Sequence, residues 1–185
     1  MPLTPTLPAQ RCRAAIKARL SNATSGFNPF LAACVAGAAI PAFAIDFTND
    51  SLTFLQGKYS IASIEASAEM DFPLMAVYMG PSKAMLQQGN ALVGQVFSGE
   101  IDYGLDVFLA SADGQTQSQF DLLVSCTHDA VMNTLNDFTG IPDWAGQRVV
   151  YNGQAVMGQP TREYDEKQGR YFSQLPFVLR VFSPQ

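Results

Sequence analysis

A thiol beside an imidazole makes an activated nucleophile, so Cys126 and His128 are the first residues to weigh. They stand two apart in "FDLLVSCTHDAVMNTLND", where Phe120, Leu123, Val124, Val131, Leu135 and Phe138 recur at helical spacing. Residues two apart on a helix point to different sides, so this dyad fails. Cys12 or Cys34 could approach the histidine from elsewhere in the fold, but neither carries a nucleophile elbow or an oxyanion-type glycine motif. His128, the only histidine, reads as structural.

Other chemistries fail for similar reasons. No GxGxxG or GxxxxGK[ST] loop is present to cradle phosphate. Cys12, Cys34 and Cys126 show neither CxxC nor Cys/His spacing, which predicts reduced, buried thiols rather than a disulfide framework or a zinc site. Glu65, Glu69 and Asp71 read as a solvated turn, and Glu100, Asp102 and Asp106 lack the glycine spacing of a calcium loop. Arg148, Arg162, Arg170 and Arg180 are too sparse for a nucleic-acid patch in a chain of net charge −5. The sequence predicts no catalytic residue, no cofactor and no metal. It does not read as an enzyme.

What remains is surface. Hydrophobic residues make up 48% and charged residues 15% of the chain, which excludes a disordered protein and suits a subunit buried in an assembly. Charge is also segregated along the sequence. Residues 1–45 carry Arg11, Arg13, Lys17 and Arg19 and no acid, whereas 46–144 carry thirteen acids against Lys58 and Lys83. From 145 onwards a slight positive excess returns. Basic ends and an acidic middle would let identical copies attract head to tail.

The elements that must position these residues form one α+β domain over 1–185: a helical part at 1–45, then a mostly antiparallel sheet over 59–182 with a helix at about 118–138. A first helix runs to about Leu20. "FLAACVAGAAIPAFA" has a leader-like outline, but Pro41 interrupts it and the basic region before it is long, so it reads as a buried helix (Phe30–Ala39) and a connector. The run is too short and too interrupted to span a bilayer. "DFTNDSLTFLQGKY" reads as loop with a possible short strand, and "YSIASIEASAEM" and "FPLMAVYMG" as a strand pair.

In "ALVGQVFSGEIDYGLDVFLAS" the apolar residues occupy alternate positions, which predicts a long strand with one dry and one wet face and a bend or bulge at Gly99 or Gly104. Glu100, Asp102 and Asp106 then form a row on the wet face, either simply solvating it, lining a passage or meeting a basic neighbour. Ser118 and Asp121 form a capping-box-like pair. Asn152-Gly153 predicts a hairpin turn. A final pair, Thr161–Asp165 and Arg170–Phe182, is joined by "EKQG", and its last strand is expected to lie at an uncovered sheet edge.

This order of parts resembles the tail-terminator (tail-completion) proteins of long-tailed bacteriophages. The likeness rests on the basic opening helix, "FPLMAVYMG", the long alternating strand, "FDLLVSCTHDAVMNTLND", and above all "VVYNGQAVMGQPTREYDEKQGRYFSQLPFVLRVF". The resemblance implies a virion structural protein, assembled in the host cytoplasm, whose copies form a ring, usually of six. Such a ring caps the tail-tube protein, meets a head-side connector or stopper protein, and lets DNA pass without specific binding and without a membrane. Another neck or tail component, a head-closure or tail-tube protein, is the alternative. On this reading Glu100, Asp102 and Asp106 are candidate lumen residues. Arg11, Arg13, Arg162, Tyr164, Arg170 and Phe172 are candidate subunit-interface residues.

Overall fold

The computed structural model describes residues 16–38, 40, 43–48, 54–56, 72–79, 99–136, 150–151, 156–166 and 169–183. The fold is α+β. In the described chain, the end of the first helix (residues 16–20) is followed by α1 (Phe27–Val35), β1 (Phe54–Gln56), β2 (Leu74–Met79), β3 (Gly99–Ala110) and α2 (Gln117–Asn136). Then come β4 (Val150–Tyr151), β5 (Val156–Met157), β6 (Thr161–Asp165) and β7 (Arg170–Ser183). The strands form a sheet in the order β1-β2-β3-β7-β4, with β5 and β6 also on β7. Among the described strand pairs only β1–β2 is parallel. The expected strand at "YSIASIEASAEM" lies outside the described residues.

β7 is not an edge. One side runs antiparallel to β3 without a break, from Gly99↔Ser183 to Ala110↔Phe172. The other side carries β4, β5 and β6 in turn. The expectation of an uncovered closing strand is therefore overturned. Leu175, Phe177 and Leu179 lie on a strand paired on both sides and are buried in the core shared with the helices. β4 and β5 both lie antiparallel on β7 and do not pair with each other, so the two segments flanking Asn152-Gly153 are not a hairpin. The β6–β7 hairpin is as predicted. It turns through Gly169, whose φ of 64° suits a residue without Cβ, and the Gly169 N–H donates to the Asp165 carbonyl at 2.8 Å.

The helices cover one face of the sheet. Phe27, Leu31 and Val35 of α1, and Phe120, Leu123, Val124, Val131 and Leu135 of α2, share a core with Met75, Val77, Leu105, Val107, Leu175, Phe177 and Leu179. Arg19, only 6% exposed, locks the first helix to this layer: its Nε donates to the Thr134 carbonyl at 2.8 Å and its Nη1 to Ser25 Oγ at 2.8 Å. A cation at the last turn of α2 also complements the helix dipole. The α2 cap is Thr116 rather than Ser118. The Gln119 N–H donates to Thr116 Oγ1 at 3.3 Å, and the Thr116 N–H donates to Gln119 Oε1 at 3.0 Å, a reciprocal capping box two residues earlier than the sequence suggested.

The opposite face, which the alternation had predicted to be wet, is dry in part only, for Val178 on it is 48% exposed. Leu74, Ala76, Phe108 and Phe172 are buried there beside Asp106. Gly104 marks no bulge, since the β3–β7 register continues through it. A Cβ at Gly104 would run into the Tyr78 ring, which lies across the strand at that point. The glycine is there to let the tyrosine cross.

Candidate subunit interface

Residues Gly158–Glu163 are exposed, and so is Tyr164 at 53%. β6 is thus open on both faces, and among the described residues no strand lies beyond it. Its position is fixed from behind. Ser173 Oγ on β7 donates to the Thr161 carbonyl at 3.0 Å, and Tyr164 packs on Tyr171 with ring centroids 4.8 Å apart. Tyr171 in turn stacks on Phe120 of α2, with centroids 6.0 Å apart. An aromatic ladder therefore runs from the helical layer to the exposed edge. An aromatic body with a polar tip is the side-chain type that interfaces favour.

The arginines of this region are engaged within the chain. Arg162 Nη1 meets Asp121 Oδ1 at 2.7 Å, and Arg170 meets Asp113 Oδ1 through Nη2 at 2.6 Å and Nε at 3.0 Å. Two pairings of the basic tail with the acidic middle, expected between copies, are thus already made inside one subunit. Sequence distance hid them: the partners are 41 and 57 positions apart. Phe172, only 2% exposed, lies on the sheet face away from the helices, against Phe72 with centroids 5.3 Å apart, so its side chain is buried within the subunit rather than offered to a neighbour. Arg11 and Arg13 lie outside the described residues.

Of the acidic row, Asp106 is 1% exposed and cannot line a passage. Its carboxylate is satisfied in place: the Tyr78 hydroxyl donates to Oδ1 at 3.1 Å and the Gln174 amide to Oδ2 at 2.9 Å. Burial, followed by the charge of Asp106 and the hydrogen bond to it, pushes the Tyr78 hydroxyl up to about 12. The cross-strand register makes this cluster, for Asp106 lies opposite Ala76 on one side and Pro176 on the other, leaving room for Tyr78 and Gln174 to reach in diagonally. Glu100 and Asp102 lie further along β3, opposite Phe182 and Arg180.

His128 sits on the sheet side of α2, its ring stacked 6.1 Å from Phe177 and its Nδ1 2.9 Å from Asp129 Oδ1. Burial, followed by the influence of Cys34, pushes the Cys126 thiol up to about 12. Cys126 is buried as expected, but Cys34 is exposed. No described helix is long and apolar enough to cross a membrane.

No family model and no curated protein matches the sequence. Among solved structures, a chain from the virion of a native gene transfer agent particle aligns over 95% of this chain and 97% of its own, at 16% identity and a TM-score of 0.36. A likeness of that depth carries no argument for fold or role.

Proposed function

We propose that this protein is a ring-forming virion structural protein of the tail-terminator kind, which closes the tail tube, meets the head-side connector and leaves a passage for DNA. The observation that carries the proposal is β6, a five-residue strand with Thr161–Tyr164 exposed and no described strand beyond it, anchored from behind by stacked aromatics. An open strand edge on a rigid base supports edge pairing with another copy. A ring needs a heterologous contact, in which β6 meets a different surface of the next subunit. The resemblance in order of parts supports the same role. Arg162 and Arg170 enter such an interface as already neutralised pairs, so the contact rests on backbone and Tyr164 more than on charge. Arg11 and Arg13 keep their proposed interface role.

Glu100 and Asp102 remain the proposed lumen residues, because a passage for DNA works best without cations that grip phosphate. Asp106 belongs to the fold instead. Neutralising Glu100 and Asp102 together should alter DNA transit and spare the ring, whereas Asp106→Asn should lower stability.

Electron microscopy and light scattering of the purified chain, alone and with its tail-tube partner, test the proposal. Single closed rings, formed alone or at the tube end, are expected. Long tubes would favour the tube-subunit alternative. A monomer that ignores the tube would end the proposal.

A further inference from the structure

The pairings inside the subunit reverse the charge that the sequence assigns to the tail. Arg162 and Arg170 are held by Asp121 and Asp113, so the charge left on β6 and its turn is that of Glu163, Asp165 and Glu166 against Lys167. Glu163 and Glu166 are exposed and make no ion pair among the described residues. At the other margin of the sheet the sign is opposite. β1 pairs with β2 alone among the described strands, and Lys17 of the first helix lies over it, its Nζ 5.6 Å from the centre of the Phe54 ring. The sequence leading to Lys17 contains Arg11 and Arg13 and no acid. One acid, Asp46, stands beside the Phe47 that packs on Phe54, and it accepts from the Thr48 N–H at 2.9 Å and hydroxyl at 3.0 Å.

We infer that the surface β6 meets is the β1 margin of a second copy, with Glu163 and Glu166 of one subunit facing the Arg13–Lys17 segment of the next. This contact depends on the ring reading and supplies its second half. A closed ring needs two different patches on each subunit, and β6 and β1 are opposite margins of one sheet, so each copy offers one to either neighbour. Four strand spacings, roughly 19 Å, keep a subunit from joining its own two margins. Backbone and Tyr164 still supply most of the contact, and the charges choose the surface that is met. A β6–β6 contact would set the glutamates of two copies against one another, whereas β6 on β1 sets them against lysine and arginine. The sequence predicted a basic tail meeting an acidic middle; the two internal ion pairs turn that polarity round.

Charge reversal in two full-length copies tests the contact. One copy carries Glu163→Lys with Glu166→Lys, the other Arg13→Glu with Lys17→Glu, and circular dichroism and urea midpoints check that each folds as the wild type does. Alone, each brings like charges together and should assemble on the order of tenfold more weakly than the wild type in light scattering. An equimolar mixture should recover rings of alternating copies, because every contact then joins opposite charges. Wild-type assembly should weaken as salt rises. Reversed copies that assemble alone as well as the wild type, or a mixture of folded copies that stays apart, overturn the contact and leave wild-type rings, and so the ring reading, in place. A wild type that forms no ring, alone or on tail tubes, removes both. If a reversed copy unfolds, Glu163→Gln with Glu166→Gln and Arg13→Gln with Lys17→Gln take its place. Each neutral pair should lessen the salt dependence of assembly, and an unchanged dependence overturns the contact.

Discussion

The two flanks of β7 differ in kind. Toward β3 the pairing is continuous, the register never slips, and the paired residues Leu105, Val107, Leu175 and Phe177 are closed to water. Toward β4, β5 and β6 the pairing is broken into short pieces: Tyr151 pairs with Val181 and Val156 with Val178, so the outer chain spends more residues than β7 does over the same interval. That outer chain ends in the exposed β6. The inner flank is made for stability and the outer one is left available. A strand can be both the spine of a subunit and the support for its open margin.

The largest expected effect is on the inner flank. Phe177→Ala empties a site that is 1% exposed beneath α2 and His128, and should cost about 3–5 kcal/mol in chemical denaturation. A loss under about 1 kcal/mol would mean that β7 is less central than its pairing implies. Next in size is Gly104→Ala, whose methyl displaces the Tyr78 ring and strains its bond to Asp106, at a cost of about 1–3 kcal/mol. In a Tyr78→Ala background the same change should be nearly free, and the double-mutant cycle measures that coupling.

Alkaline pH should act through Tyr78 of β2 and Cys126 of α2. Tyr78 and Cys126 are both pushed up to about 12, from ordinary values of 10.0 and 9.0. The unfolded chain therefore releases these protons first, so stability is full below about pH 9 and falls as pH rises toward about 12. Urea midpoints measured across that window should fall, and Tyr78→Phe should flatten the upper part of the curve. A midpoint independent of pH in the wild type would contradict the burial of both groups.

The smallest stability effects belong to the outer flank. Tyr164→Ala and Arg162→Ala should each change stability by no more than about 1 kcal/mol, because Tyr164 is half exposed and the Arg162–Asp121 pair is largely open to solvent. Tyr164→Ala should nevertheless weaken assembly in light scattering. Unaltered assembly with unaltered stability would remove this edge from the interface.

Local periodicity made much of this molecule legible. The alternation in "ALVGQVFSGEIDYGLDVFLAS" and the helical spacing from Phe120 to Phe138 located the end of β3 and both ends of α2 to within two residues, residues 91–98 lying outside the described chain, because each pattern records which side of one element is dry. The same logic misjudged Asp106. A polar residue at an alternate position looks the same in sequence whether water or a neighbour satisfies it, and here Tyr78 and Gln174 do so from adjoining strands.

By itself, then, the sequence determined the types of the described elements, their order, and the low charge that suits a subunit of an assembly. Only the tertiary structure decided that the closing strand is central, that Arg162 and Arg170 find their acids within the chain, and that Tyr78 and Gln174 satisfy Asp106. The physical reason is range. Backbone preference and burial pattern act within one element, whereas pairing partners come from segments tens of residues apart that meet only when the whole sheet closes.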